Sequence, residues 1–179
     1  GFDVYKIDDF MSADEARAWI NYGERESFER CFQTESYDAA HRQQGRIQLT
    51  EGLQSSKDIA RIIFNRLLTL GAIPRTIDGM IPYGCMSNIR LYRYSTGDSF
   101  GKHIDESHFC LIEKVPCTSQ FTCLIYLNGN GINDDSNAES DEQGLPGLYG
   151  GALAFYQSHS AKESCQIFAP KVGICILHR

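Results

Sequence analysis

The sequence predicts an α+β domain in which two helices precede a barrel or sandwich of short strands. Three observations carry this. Helical periodicity is confined to the first half of the chain, and strand-like runs rich in β-branched and aromatic residues fill the second. Pro74 and Pro82 break the chain where one pattern gives way to the other. A chain of 179 residues suffices for one full core and is too short for two. The expected organisation is therefore a single domain over 1–179, with a helical flank at 1–80 and barrel strands at 81–179.

Val4 to Ile7 alternates as a short strand before Asp8 and Asp9. Ser12 followed by Glu15 is a capping box, which starts a helix expected to run to about Phe28. Ala16, Trp19 and Ile20 form its apolar stripe. The stretch 29–52 is polar and irregular, with Arg46 to Leu49 as a candidate edge strand. Ser55 or Ser56 is expected to cap a second helix with Ile59, Ile62, Ile63, Leu67 and Leu70 at helical spacing and Gly71 as its stop. From Asn88 to Tyr94 the residues alternate. Asn88, Arg90, Tyr92 and Tyr94 share one face, while Ile89, Leu91 and Arg93 share the other. Either the polar face looks into solvent, or it lines a cavity while the apolar face packs under a helix. Strands follow at 121–127, 150–156, 165–170 and 174–178, the last two joined by a turn at Lys171-Val172-Gly173.

Composition narrows the function classes. The chain is 42 % hydrophobic and 22 % charged, as a globular domain is, and no apolar run approaches the length of a membrane span. Asp134, Asp135, Glu139, Asp141 and Glu142 fall in a segment, 129–148, that holds no Lys or Arg. The net charge of -6 therefore sits mostly in that loop, which reads as a solvated insertion or a substrate lid. The rest of the body is near neutral and lacks the basic footprint of a nucleic-acid binder. Seven cysteines with no Cys-x-x-Cys pair favour a reducing compartment, cytoplasmic or nuclear, and Cys110, Cys117 and Cys123 match no usual zinc spacing. Gly1 to Tyr5 show neither an initiator Met nor an apolar signal core, so targeting signals are not observable.

The chemistry concentrates at His103-Ile104-Asp105, which follows a strand and a Gly97-Asp98 turn. On an extended backbone His103 and Asp105 leave on the same side, as two corners of a 2-His-1-carboxylate iron site would. The competing reading is a pair of surface turn residues. His108 lacks the same-face spacing and reads as a loop residue; His41 and His159 lie in polar stretches and read as solvated. Arg90 suits a substrate or co-substrate carboxylate as well as a structural Asp.

Four pieces occur in order: Arg93-Tyr94-x-x-Gly97-x-x-Phe100-x-x-His103-x-Asp105, the strand Thr122 to Leu127, Gly150-Gly151-x-x-x-Phe155, and Pro170-x-x-Gly173-x-x-x-Leu177. Together with Asp9-Phe10-Met11-Ser12-x-x-Glu15 they resemble the catalytic domain of prolyl 4-hydroxylase-type Fe(II)/2-oxoglutarate dioxygenases. The resemblance implies a double-stranded β-helix, or jelly-roll barrel, with flanking N-terminal helices. It implies His103 and Asp105 as Fe(II) ligands and Tyr94 as a hydrogen-bond partner of 2-oxoglutarate, with Thr122 and Tyr126 on the strand that helps form that pocket. The family often has Glu-Thr after its Gly-Gly, where this chain has Ala152-Leu153. The distal His and the basic residue after it are expected beyond Arg179, in strands this chain lacks; His178 is the fallback third ligand. The implied reaction consumes 2-oxoglutarate and O2, with ascorbate as a further cofactor. It yields succinate and CO2 and hydroxylates an aliphatic carbon, here prolyl in a peptide or protein. A barrel module that binds or senses without turnover is the alternative, as is an oxidative demethylase of the same superfamily.

Overall fold

The computed structural model describes residues 3–26, 28–31, 44–48, 54–95, 98–129, 150–158 and 160–179. Strand β1 (Val4–Ile7) leads to helix α1 (Ala13–Arg25), whose start is the capping box read from the sequence. The Ser12 hydroxyl accepts from Glu15 N–H at 3.2 Å and the Glu15 carboxylate accepts from Ser12 N–H at 2.9 Å. The helix ends at Arg25, short of Phe28. Gly23 leaves the room that Phe28 occupies, since a Cβ there would stand 3.1 Å from its ring. Arg93 then lies 4.4 Å over that ring and ion-pairs with Glu24 at 2.8 Å.

Strands β2 (Glu29–Cys31), β3 (Gln44–Gln48) and β4 (Arg90–Arg93) form one antiparallel sheet in the order β2-β3-β4. The segment expected at an edge is thus its central strand. Leu91 packs at Gly23 of α1, so the apolar face of β4 lies under a helix. Arg90, Tyr92 and Tyr94 on the polar face are exposed, which is the solvent-facing reading rather than the cavity-lining one. Helix α2 (Gln54–Thr69) begins before Ser55 and Ser56, which are therefore helical rather than caps, and Ser56 is buried. Gly71 follows α2 at φ +63, in the left-handed conformation that stops helices.

Strands β5 (Phe109–Ile112) and β6 (Val115–Thr118) make a hairpin. Strand β7 (Thr122–Ile125) joins β10 (Cys175–His178) and β1 in the order β1-β10-β7, and β8 (Leu153–Phe155) pairs with β9 (Gln166–Phe168). The turn after β9 is present, yet β9 and β10 enter different sheets. The core lies between the helices and one face of β1-β10-β7. Ala16 and Leu67 pack there with Cys175, Leu177, Cys123 and Ile125. Arg66 clamps the two helices by donating to Phe10 O at 2.8 Å and to both Glu15 oxygens, at 2.5 and 3.1 Å. The α+β class and antiparallel sheets agree with the sequence. The four sheets do not close into a barrel among the described residues. The acidic stretch beyond Gly129 lies outside them, as do Gly97, His41 and His159. No helix is long and apolar enough to cross a membrane among the described residues.

Candidate metal centre

Alternation along β7 and β10 fixes which residues look away from the helices. Cys123 and Ile125 on β7, with Cys175 and Leu177 on β10, face the core, so Thr122 and His178 face the other side. The register pairs His178 with Thr122 directly. Phe155 on β8 meets the His178 ring edge-on at 5.1 Å, which places the β8-β9 sheet over that side.

His103 and Asp105 reach the same place from the link between β4 and β5. This link is irregular, so the same-side arrangement does not come from a strand. It begins with a turn in which Ser95 N–H donates to Asp98 Oδ2 at 2.8 Å and Asp98 N–H to Ser95 O at 2.9 Å. Lys102 then holds it against the β8-β9 connection, donating to Ala161 O at 2.5 Å with its ammonium 4.0 Å from the centre of the Tyr156 ring. Thr122 Oγ1 donates to Asp105 Oδ2 at 2.6 Å and secures the link to β7.

Asp105 is the hub. His103 Nε2 lies 3.2 Å from its Oδ1, and His178 Nε2 lies 3.7 Å from its Oδ2. The Gly101 carbonyl, 2.8 Å from His103 Nδ1, can only accept, so Nδ1 carries a proton. In the neutral ring Nε2 then holds a lone pair aimed at a carboxylate oxygen. Two acceptors at that distance need a proton or a cation between them. Phe100 backs the His103 ring at 4.1 Å. The Asp105 carboxyl is held down to about 2, chiefly by its hydrogen bond with His103 and further by Thr122, against the opposing effect of burial. Burial pushes the His178 imidazole below its ordinary value although Asp105 pulls it up. The carboxylate and the neutral imidazole are the protonation states that bind metals.

Sequence reasoning gave Asp105, His103 and His178 as candidate ligands, and the structure brings these three together. Thr122 was assigned to a co-substrate pocket; here it bonds to Asp105. Tyr126 lies just past β7, half-buried, with its hydroxyl 3.5 Å from Gly151 O and its phenol pushed up to about 12 by burial. Tyr94 and Arg90 sit at either end of β4, both exposed. The Gly101 carbonyl and Lys102 were not foreseen, because backbone acceptors and long-range tethers leave no spacing signature. Phe100 and Phe155 belonged to the quoted motifs without a role; both press on the histidine rings. Among the described residues no three His, Cys, Asp or Glu side chains form a ready metal cage. Two open grooves, about 610 and 510 Å³, lie instead on the helical flank, the larger lined by Phe10, Glu15, Arg66 and Lys171.

No family model matches the chain, and neither a curated protein nor a solved structure does.

Proposed function

We propose that the chain is an Fe(II)- and 2-oxoglutarate-dependent oxygenase that hydroxylates an aliphatic carbon, with a prolyl residue of a peptide or protein as the intended substrate. The observation that carries the proposal is the meeting of His103 and Asp105, from the β4–β5 link, with His178 from β10. The donor set fits. Two ligands at about 2.1 Å from a metal and at right angles stand about 3.0 Å apart. The two Nε2 atoms are 3.2 and 3.7 Å from the Asp105 oxygens. The two imidazoles meet different oxygens of the carboxylate, His103 Oδ1 and His178 Oδ2, so an ion shared by all three requires these side chains to reorient.

In this reading Gly101 fixes the His103 tautomer, Thr122 orients the carboxylate, Phe100 supports the His103 ring, and Phe155 covers the His178 ring. The iron, when bound, supplies the oxidative chemistry that decarboxylates 2-oxoglutarate and transfers oxygen to carbon. Tyr94, Tyr126 and Arg90 are the proposed contacts of the co-substrate, with the two small sheets as parts of a jelly roll. Ile104, Phe109 and Leu111, 78, 72 and 65 % exposed beside the centre, offer apolar surface to a peptide. Succinate release from 2-oxoglutarate tests the proposal. It is expected in the wild type with Fe(II) and lost in His103→Ala, Asp105→Ala and His178→Ala. Undiminished release in these variants overturns it.

A second reading, a binding module without turnover, is favoured by one observation: both imidazoles already contact the carboxylate without forming a metal cage. It predicts peptide binding that Fe(II) and chelators leave unchanged.

A further inference from the structure

We propose that Cys110 and Cys117 are an oxidative modification site, a thiol pair that hydrogen peroxide converts to an intramolecular disulfide across the β5–β6 hairpin. The register sets Cys110 directly opposite Cys117. Glu113 and Lys114, at φ 50 and 71, form the two-residue turn of the hairpin. Ile112 and Val115 flanking it are therefore a hydrogen-bonded pair, and alternation makes Cys110 and Cys117 the next one. Two further facts agree with that phase. Ser119 N–H donates to His108 O at 2.9 Å at the following hydrogen-bonded position. Pro116, which has no N–H, falls on a non-bonded one. Hydrogen-bonded partners have Cα atoms about 5.5 Å apart, inside the range of about 4.4–6.8 Å that disulfides span. Their Cβ atoms also stand about 5.5 Å apart and must close to about 3.5–4.5 Å, so the bond forms as the hairpin twists and is strained and readily reduced.

Both residues are reduced and half-buried. The competing pair, Cys123 and Cys175, has its sulfurs 3.5 Å apart but lies in the core, Cys175 wholly buried. The thiolate does the chemistry, and it is opposed there: the hydrogen bond with Cys175, and burial after it, hold the Cys123 thiol well up, and burial pushes neighbouring Cys85 up to about 12. In the reaction one thiolate attacks a peroxide oxygen and breaks the O–O bond, giving a sulfenic acid and, after proton uptake, water. The second thiol attacks that sulfur; the S–S bond forms, the S–OH bond breaks, and a second water leaves. Two thiols lose two electrons and two protons to the peroxide. The hairpin carries the exposed Phe109 and Leu111, and its ends run on to Asp105 and Thr122, which are bonded to each other. The disulfide thus stiffens the apolar surface beside the centre.

The full chain is treated with a small excess of hydrogen peroxide, alkylated, digested without reductant and mapped by mass spectrometry. The expected product is a Cys110–Cys117 cross-link lighter by two hydrogens and reversed by dithiothreitol. In Cys110→Ser and in Cys117→Ser the remaining thiol should instead be trapped as sulfenic acid by dimedone, with an unchanged circular dichroism spectrum. A Cys123–Cys175 link, an intermolecular link, or continued alkylation of Cys110 and Cys117 overturns the assignment.

Discussion

Replacing Thr122 with Val removes one hydroxyl and preserves shape, β-branching and strand propensity. In the wild type that hydroxyl donates to Asp105 Oδ2 at 2.6 Å. A hydrogen bond to a charged acceptor contributes about 1.5–3 kcal/mol when water is excluded. The Asp105 side chain is 40 % exposed, so water replaces the lost donor and the cost to folding falls to about 0.5–1 kcal/mol. The effect on metal binding should be larger, because an unsecured carboxylate must be ordered when the ion arrives. Loss of such an orienting partner weakens affinity by about 10- to 100-fold, or roughly 1.4–2.7 kcal/mol. Calorimetric titration with Mn(II) reads the second quantity and urea unfolding the first. Unchanged Mn(II) affinity in a folded Thr122→Val protein would refute the reasoning.

Gly173 sits at φ +76, donates to Tyr126 O at 2.8 Å and accepts from Met11 N–H at 3.0 Å, and a Cβ there would collide with the Met11 carbonyl. Gly173→Ala should lose about 2–3 kcal/mol by urea unfolding, and a loss under 0.5 kcal/mol would contradict the close approach. Leu67→Ala should cost about 2–4 kcal/mol, whereas Leu111→Ser, on the open face of the hairpin, should change stability by less than about 0.5 kcal/mol. Glu15 is lowered from 4.5 to about 2, chiefly by its hydrogen bonds from Arg66. Its contribution is thus complete above pH 4.5 and fades as pH falls toward 2. With the side chain 44 % exposed, the effect is about 1 kcal/mol or less. Urea midpoints at pH 5 and pH 3 should differ less in Glu15→Gln than in the wild type, and equal differences would contradict this.

Local signals read correctly wherever the cause was local. Ser12 and Glu15 three residues apart are sufficient to cap α1, and the β7 and β10 runs identify themselves by their apolar density. Boundaries slipped where packing decided them. Phe28 left the helical pattern to fill the space at Gly23, and Ser56 was drawn inside α2 by burial rather than left at its end. Strand partners were illegible because pairing is not a local property; nothing in Arg46 to Leu49 announces a central strand. At the site, His103 and Asp105 stand out by spacing, but their alignment on one side comes from Gly101, Lys102 and Thr122 rather than from a strand. The sequence offers His178 only as the fallback third ligand. Its register opposite Thr122, which no sequence pattern shows, brings it to the same carboxylate.

Anaerobic calorimetric titration of Fe(II) into the wild type, His103→Ala, Asp105→Ala and His178→Ala tests the central claim most directly. One ion per wild-type chain is expected, with affinity at least about tenfold lower in every variant while circular dichroism is unchanged. No binding by the wild type, or wild-type affinity in the folded His178→Ala protein, would contradict it.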